Sequence, residues 1–116
     1  MTKPRSSTHR ELFGIIGQMP GVSKILREWN AAFRAQGIDA SLDFYPTTVT
    51  NLPERLSEMF HFDRRGYIVG TSLQKVIIPL LDFVEPAARR RGVKYVSNAG
   101  GALHGKKGIP ERGTLA

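Results

Sequence analysis

The 116 residues suffice for one small domain and are too few for a two-domain enzyme. With 41% apolar and 23% charged residues the chain has the material for a packed core, and with no cysteine it excludes disulfides, thiolate nucleophiles and cysteine zinc sites. The formal charge is +7, yet the stretch from Leu12 to His104 holds 11 basic and 8 acidic residues, so most of the excess belongs to the two ends.

In chain order, residues 1–11 lack apolar periodicity and read as a flexible basic tail. Leu12 to Gly17 is a short apolar run bounded by glycine, the pattern of a strand buried on both faces. Ile25, Leu26, Trp29, Ala32 and Phe33 then repeat at helical spacing, with Ser23 as candidate N-cap and Gly37 as the stop. Ala40 to Tyr45 alternates as a half-buried strand, ended by Pro46. Leu52, Leu56, Met59 and Phe60 mark a second helix with Pro53 in its first turn, closing before Arg64. Tyr67 to Val69 reads as a third strand. Leu73 to Phe83 carries a helical pattern that Pro79 should kink or shorten, and Glu85 to Gly92 carries another short helix. Val93 to Ser97 and Ala102 to His104 flank the turn Asn98-Ala99-Gly100-Gly101, a β-hairpin signal. The order predicts an α/β fold, a single three-layer-like domain with a mixed, largely parallel sheet flanked by helices. It should span residues 12–105, with 106–116 a flexible C-terminal tail.

The residues themselves carry little chemistry. His9, His61 and His104 have no metal-ligand spacing, so no metal is expected. Gly14, Gly17 and Gly21 match neither a dinucleotide fingerprint nor a phosphate loop, and no serine sits in a nucleophile elbow. Arg89, Arg90, Arg91 and Lys94 form a cluster with no aromatic inside the arginine run, which reads as a solvated helix end favoured by the helix dipole; nucleic acid is not an expected partner. In an open α/β sheet, ligands bind beyond the carboxyl ends of the strands, here Gly17 to Ser23 and Gly70 to Lys75, and a small carboxylate or phosphate suits such junctions. No apolar run is long enough for a signal peptide or a membrane span, which makes a soluble cytoplasmic protein the expectation.

Four stretches together resemble the N-terminal, substrate-binding domain of the shikimate dehydrogenase family. They are Phe13-Gly14-Ile15-Ile16-Gly17 followed by Ser23 and Asn30-Ala31-Ala32-Phe33; Gly37-Ile38-Asp39-Ala40; Arg65-Gly66-Tyr67; and Ile78-Pro79-Leu80-Leu81-Asp82 leading into Glu85-Pro86-Ala87-Ala88-Arg89-Arg90. The resemblance implies binding of a small hydroxy acid such as shikimate or quinate between this domain and a second, NADP-binding one, with a lysine-aspartate pair assisting hydride transfer. The chain ends where that second domain would begin. No cofactor is therefore expected in this chain, NADP entering only if another chain supplies the nucleotide domain, and a homodimer or a separate nucleotide-binding subunit is the expected partner.

Carried over one residue at a time, the family's two carboxylate-binding serines leave only Ser23. Without gaps, its Asn-Val-Thr-x-Pro-x-Lys segment falls on Ile68 to Gln74, putting Gln74 where the catalytic lysine stands. A one-residue shift restores threonine and lysine as Thr71 and Lys75. That shift needs a compensating deletion in the following helix, turning its apolar face by ~100°, so the ungapped register is preferred. The family's hairpin asparagine falls on Tyr95 and its catalytic aspartate on Ile109, which can exchange no proton. The implied site is Ser23, Thr71 and Gln74 on the ligand, with Lys75 as the catalytic candidate. Ligand binding without autonomous catalysis follows.

Overall fold

The computed structural model describes residues 10–114. Six strands and three helices follow one another as β1 (Glu11–Ile16), α1 (Val22–Ala35), β2 (Ala40–Tyr45), α2 (Leu52–His61), β3 (Arg64–Val69), β4 (Phe83–Val84), α3 (Pro86–Arg91), β5 (Tyr95–Ala99) and β6 (Ala102–Lys106). The strands form one sheet in the order β2-β1-β3-β5-β6-β4. β1 pairs parallel with β2 and β3, β4 parallel with β6, and β5 antiparallel with both β3 and β6. The expected α/β domain with a mixed, largely parallel sheet is the fold observed. Among the described residues no helix is long and apolar enough to cross a membrane.

Strand alternation divides the interior into two cores. Phe13 and Ile15 of β1, Leu42 of β2, Ile68 of β3 and Tyr95 of β5 face α1, which contributes Trp29 and Phe33. Ile16, Tyr67, Val69, Val96 and Leu103 face the other way, under Leu56, Met59 and Phe60 of α2 and Ala88 of α3. The α1 stripe is anchored by an aromatic trio: Phe33 stacks on Phe13 at 5.4 Å between ring centroids, and Trp29, 4% exposed, meets each of them at 5.9 Å. α1 ends as the glycine predicts. The Gly37 N–H donates to the Arg34 carbonyl and the Ile38 N–H to the Phe33 carbonyl, and Ile38 then packs on the same core. Asn30 adds a polar clamp to the exposed edge of β2, donating to the Leu42 carbonyl at 3.0 Å and accepting the Leu42 N–H at 2.9 Å.

Two expectations need correction. Leu73 to Phe83 is not a helix: it holds two 3-10 turns, Thr71–Leu73 and Ile78–Leu80, before β4. Pro79 has no N–H to continue an α-helix, and the Ile78 N–H already takes the Lys75 carbonyl in a tighter bond. Ser23 is not the N-cap of α1, because Gly21 holds that position and Ser23 lies inside the first turn without a capping bond. Residues 107–114 return to α1, where Gln36 donates to the Gly113 carbonyl and Arg112 pairs with Glu28 at 3.0 Å. Residues 1–9 of the N-terminal tail lie outside the described part. The hairpin turn narrows to Gly100-Gly101, both at positive φ (62° and 78°), the two-residue geometry whose twist suits flanking strands.

Truncating Trp29 to alanine should cost roughly 3–5 kcal/mol, as for other large aromatics in closed cores. Denaturant unfolding measures it, and a loss well under 1 kcal/mol would mean the trio does not anchor α1.

Candidate functional site

The carboxyl ends of β1 and β3 lie side by side, and the loops leaving them are tied together by their main chains. The Gly70 N–H donates to the Ile16 carbonyl at 2.7 Å and the Thr71 N–H to the Gln18 carbonyl at 3.1 Å. Those two donors are thereby spent on the scaffold and are not free to hold an anion. The approach is close enough to demand glycine. A Cβ on Gly70 would stand 2.7 Å from the Gln18 carbonyl oxygen, although its φ of −61° suits any residue. Space, not conformation, selects glycine there. In the ungapped register this is the position of the family's threonine, which has no room here.

The four candidate residues are brought to this end of the sheet and divided there. Ser23 and Thr71 are exposed, one in the first turn of α1 and the other at the first 3-10 turn. Gln74 turns inward, its amide donating to the Val69 carbonyl at 3.2 Å, while its own carbonyl accepts the Val93 N–H at 2.8 Å. Lys75 reaches the last turn of α3, where its ammonium donates to the Arg90 carbonyl at 2.6 Å, the favourable end of that helix for a cation. Because no α-helix follows Lys75, the one-residue shift rotates no apolar face, and the helical objection to the register with Thr71 and Lys75 does not apply.

Tyr95, where the family has asparagine, is 2% exposed, and its hydroxyl lies over Gly66 without a hydrogen-bond partner. Burial pushes that hydroxyl above its ordinary range and Arg65 pulls it back weakly, so it stays neutral. Ile109 stands exposed after β6 in the stretch that follows Lys106. Among the described residues no group of three His, Asp or Glu side chains is placed to hold a metal.

Two clefts lie away from the β1 and β3 junctions. One of about 260 Å³ runs between α2 and β6, lined by Leu56, Ser57, Phe60, His61, Asp82 and Leu103. Its Asp82 carboxylate is occupied by the Leu103 N–H at 2.8 Å. The other, about 410 Å³, lies on the α1 side of β5 and β6, between Tyr95, Ser97, Lys106 and the chain at Ile109 and Pro110. Sequence reasoning aligned Tyr95 and Ile109 with family site positions but not with Lys106 in one cleft, although the pairing of Tyr95 with Lys106 follows once the hairpin register is set.

No protein-family model matches the chain, and no curated protein matches it. Solved structures do. Shikimate 5-dehydrogenase from Listeria monocytogenes, in complex with shikimate and NAD, is 27% identical over 89% of this chain, with a TM-score of 0.78. Shikimate dehydrogenase from Aquifex aeolicus is 26% identical over 86% of it, TM-score 0.76, and shikimate 5-dehydrogenase from Thermus thermophilus, in complex with NADP(H) and shikimate, 28% over 82%, TM-score 0.72. The matched part is 36–38% of those chains.

Gly70→Ala should push the two loops apart and destabilise the domain by roughly 1–3 kcal/mol, the usual cost of overpacking. A urea midpoint equal to that of the parent would show that the loops do not depend on this contact.

Proposed function

We propose that this shikimate dehydrogenase-like domain, whose matched part spans 36–38% of the solved enzymes it resembles, binds a small hydroxy acid such as shikimate or quinate and does not by itself oxidise it. The observation that carries the reading is the shared fold at 26–28% identity with three shikimate dehydrogenases, two of them holding shikimate. Ser23, exposed in the first turn of α1, and Thr71, exposed in the 3-10 turn after β3, supply hydroxyls for its carboxylate.

Catalysis is disfavoured by the side chains at this end of the sheet. A glutamine cannot relay a proton near neutral pH, and Lys75 is held on a main-chain carbonyl. The residues also do not fit a dinucleotide. Gly14 is packed under Met59 and the Tyr45 ring, and Gly17 under Leu73, so neither offers the open backbone that a pyrophosphate approaches. NADP, if it acts with this chain, is held by another. The open side of the site is closed by a nucleotide-binding partner, which then holds the NADP, or by a second copy, which does not.

Steady-state assay of the 116-residue chain with shikimate and NADP should show no turnover. Turnover abolished by Lys75→Ala would overturn this and make Lys75 the acid-base group. Titration should find shikimate bound weakly, since a one-walled cleft buries little of a small ligand. Ser23→Ala should weaken binding by roughly 2- to 13-fold, the worth of one hydrogen bond at about 0.5–1.5 kcal/mol. Tight binding to a strictly monomeric protein in sedimentation, unchanged in Ser23→Ala, would reject the half-site and the role of that serine together.

A further inference from the structure

We infer that the half of the sheet beyond α1, beside the chain at Ile109 and Pro110, is a docking face for single-stranded nucleic acid, with Phe83 as the stacking platform and Lys106 and Lys107 as the phosphate contacts. The pairing register assembles the face. Phe83 lies opposite His104, His104 opposite Ser97, and Lys106 opposite Tyr95, and paired residues point to one side of a sheet. Tyr95 belongs to the core beneath α1, so this row is on the α1 side. The helix covers β2, β1 and β3 and reaches β5 only at Tyr95.

The first requirement of such a face is an exposed π surface. Phe83 is 59% exposed, and it is not isolated: its ring stacks on His104 with centroids 4.9 Å apart and planes 24° from parallel. His104 holds one side of the phenyl ring and leaves it presented as a rigid plate, the form in which aromatics on a sheet receive unstacked bases.

The second requirement is an excess of positive charge beside that plate. Lys106 is two residues from His104 on the same strand face, Lys107 follows, and neither makes an ion pair among the described residues. Glu85 lines the same cleft and keeps its negative charge while accepting the Lys107 N–H at 2.8 Å, so its carboxylate against the two lysines leaves one positive charge in excess. From Lys106 the cleft of about 410 Å³ continues past Ser97 toward Ile109 and Pro110, a groove running on from the aromatic plate. The chain's formal charge of +7 supplies the long-range attraction.

The combination selects among anionic partners. An acidic peptide would use the lysines and leave the phenyl ring idle, and a duplex presents phosphates but keeps its bases stacked on one another. A single strand uses both. The linear sequence hides this, because Phe83, His104 and Lys106 come from two segments and no aromatic lies inside the arginine run.

The test is fluorescence anisotropy of a labelled oligothymidylate with the intact chain at low salt, repeated over a salt series. Binding should be measurable. Phe83→Ala should weaken it by roughly 5- to 150-fold, the worth of one stacked base, while its thermal unfolding, followed by circular dichroism, stays near that of the parent because the ring is exposed. Lys106→Gln with Lys107→Gln should flatten the slope of log affinity against log salt by about 1.4. Absence of binding at low salt, equal affinity for a duplex or for polyglutamate, or an affinity unmoved by Phe83→Ala would each overturn the proposal. The shikimate titration reads Ser23 and Thr71 on the far side of β3, and Phe83→Ala, at the opposite edge of the sheet, touches neither, so either result can fail alone.

Discussion

The contact of Trp29 and Phe33 with Phe13 sets the position of α1, and most of what the surface can do depends on where α1 lies. The trio seats the helix over β1, Asn30 hooks it to the edge of β2, and Ile38 closes its far end on the same core. A helix held at that place covers β2, β1 and β3, and leaves a cleft over β5 and β6 beside the chain at Ile109 and Pro110. It also carries Ser23 to the end of β1. Asn30 has a further effect, since by taking both polar groups of Leu42 it occupies part of an edge strand that would otherwise offer itself to another chain.

Close approach is the second constraint. Gly70 lets the β3 loop lie against the β1 loop, and Gly66 lets Tyr95 lie across β3, its hydroxyl where a side chain at position 66 would be. Tyr95 fills the place of a polar ligand with a buried, neutral phenol, and the Gly70 and Thr71 amides serve the scaffold. The fold shared with the solved dehydrogenases is thus held at this end by main-chain contacts between the two loops and by the Tyr95 ring.

The 3-10 segment between β3 and β4 shows how one residue redirects the chemistry. Pro79 forbids a continuous helix, so the chain advances in short turns, sending Gln74 inward to Val69 and Lys75 across to α3. In a regular helix, adjacent side chains are ~100° apart and their roles follow from the sequence. In short turns they follow from whichever acceptor is nearest, and that acceptor belongs to another element.

Most elements were legible from periodicity alone. β2 occupies its predicted residues, and α2 and the buried faces of both long helices follow their apolar spacing, because burying a stripe against a sheet leaves only one arrangement for those side chains. Gly37 and the glycine pair of the hairpin mark their turns by local backbone geometry. The exceptions are local competitions: Ser23 looks like a cap but Gly21 takes that position, and the helical pattern after Leu73 yields to a missing N–H at Pro79. The candidate site was legible only as a location, the loops after β1 and β3. Which side chains face it, the loss of room at Gly70, the return of residues 107–114 to α1, and the meeting of Phe83 with His104 and Lys106 were decided by tertiary structure. Each depends on a distance between segments far apart in the chain, and a one-dimensional pattern contains spacing along the chain but no distance across it.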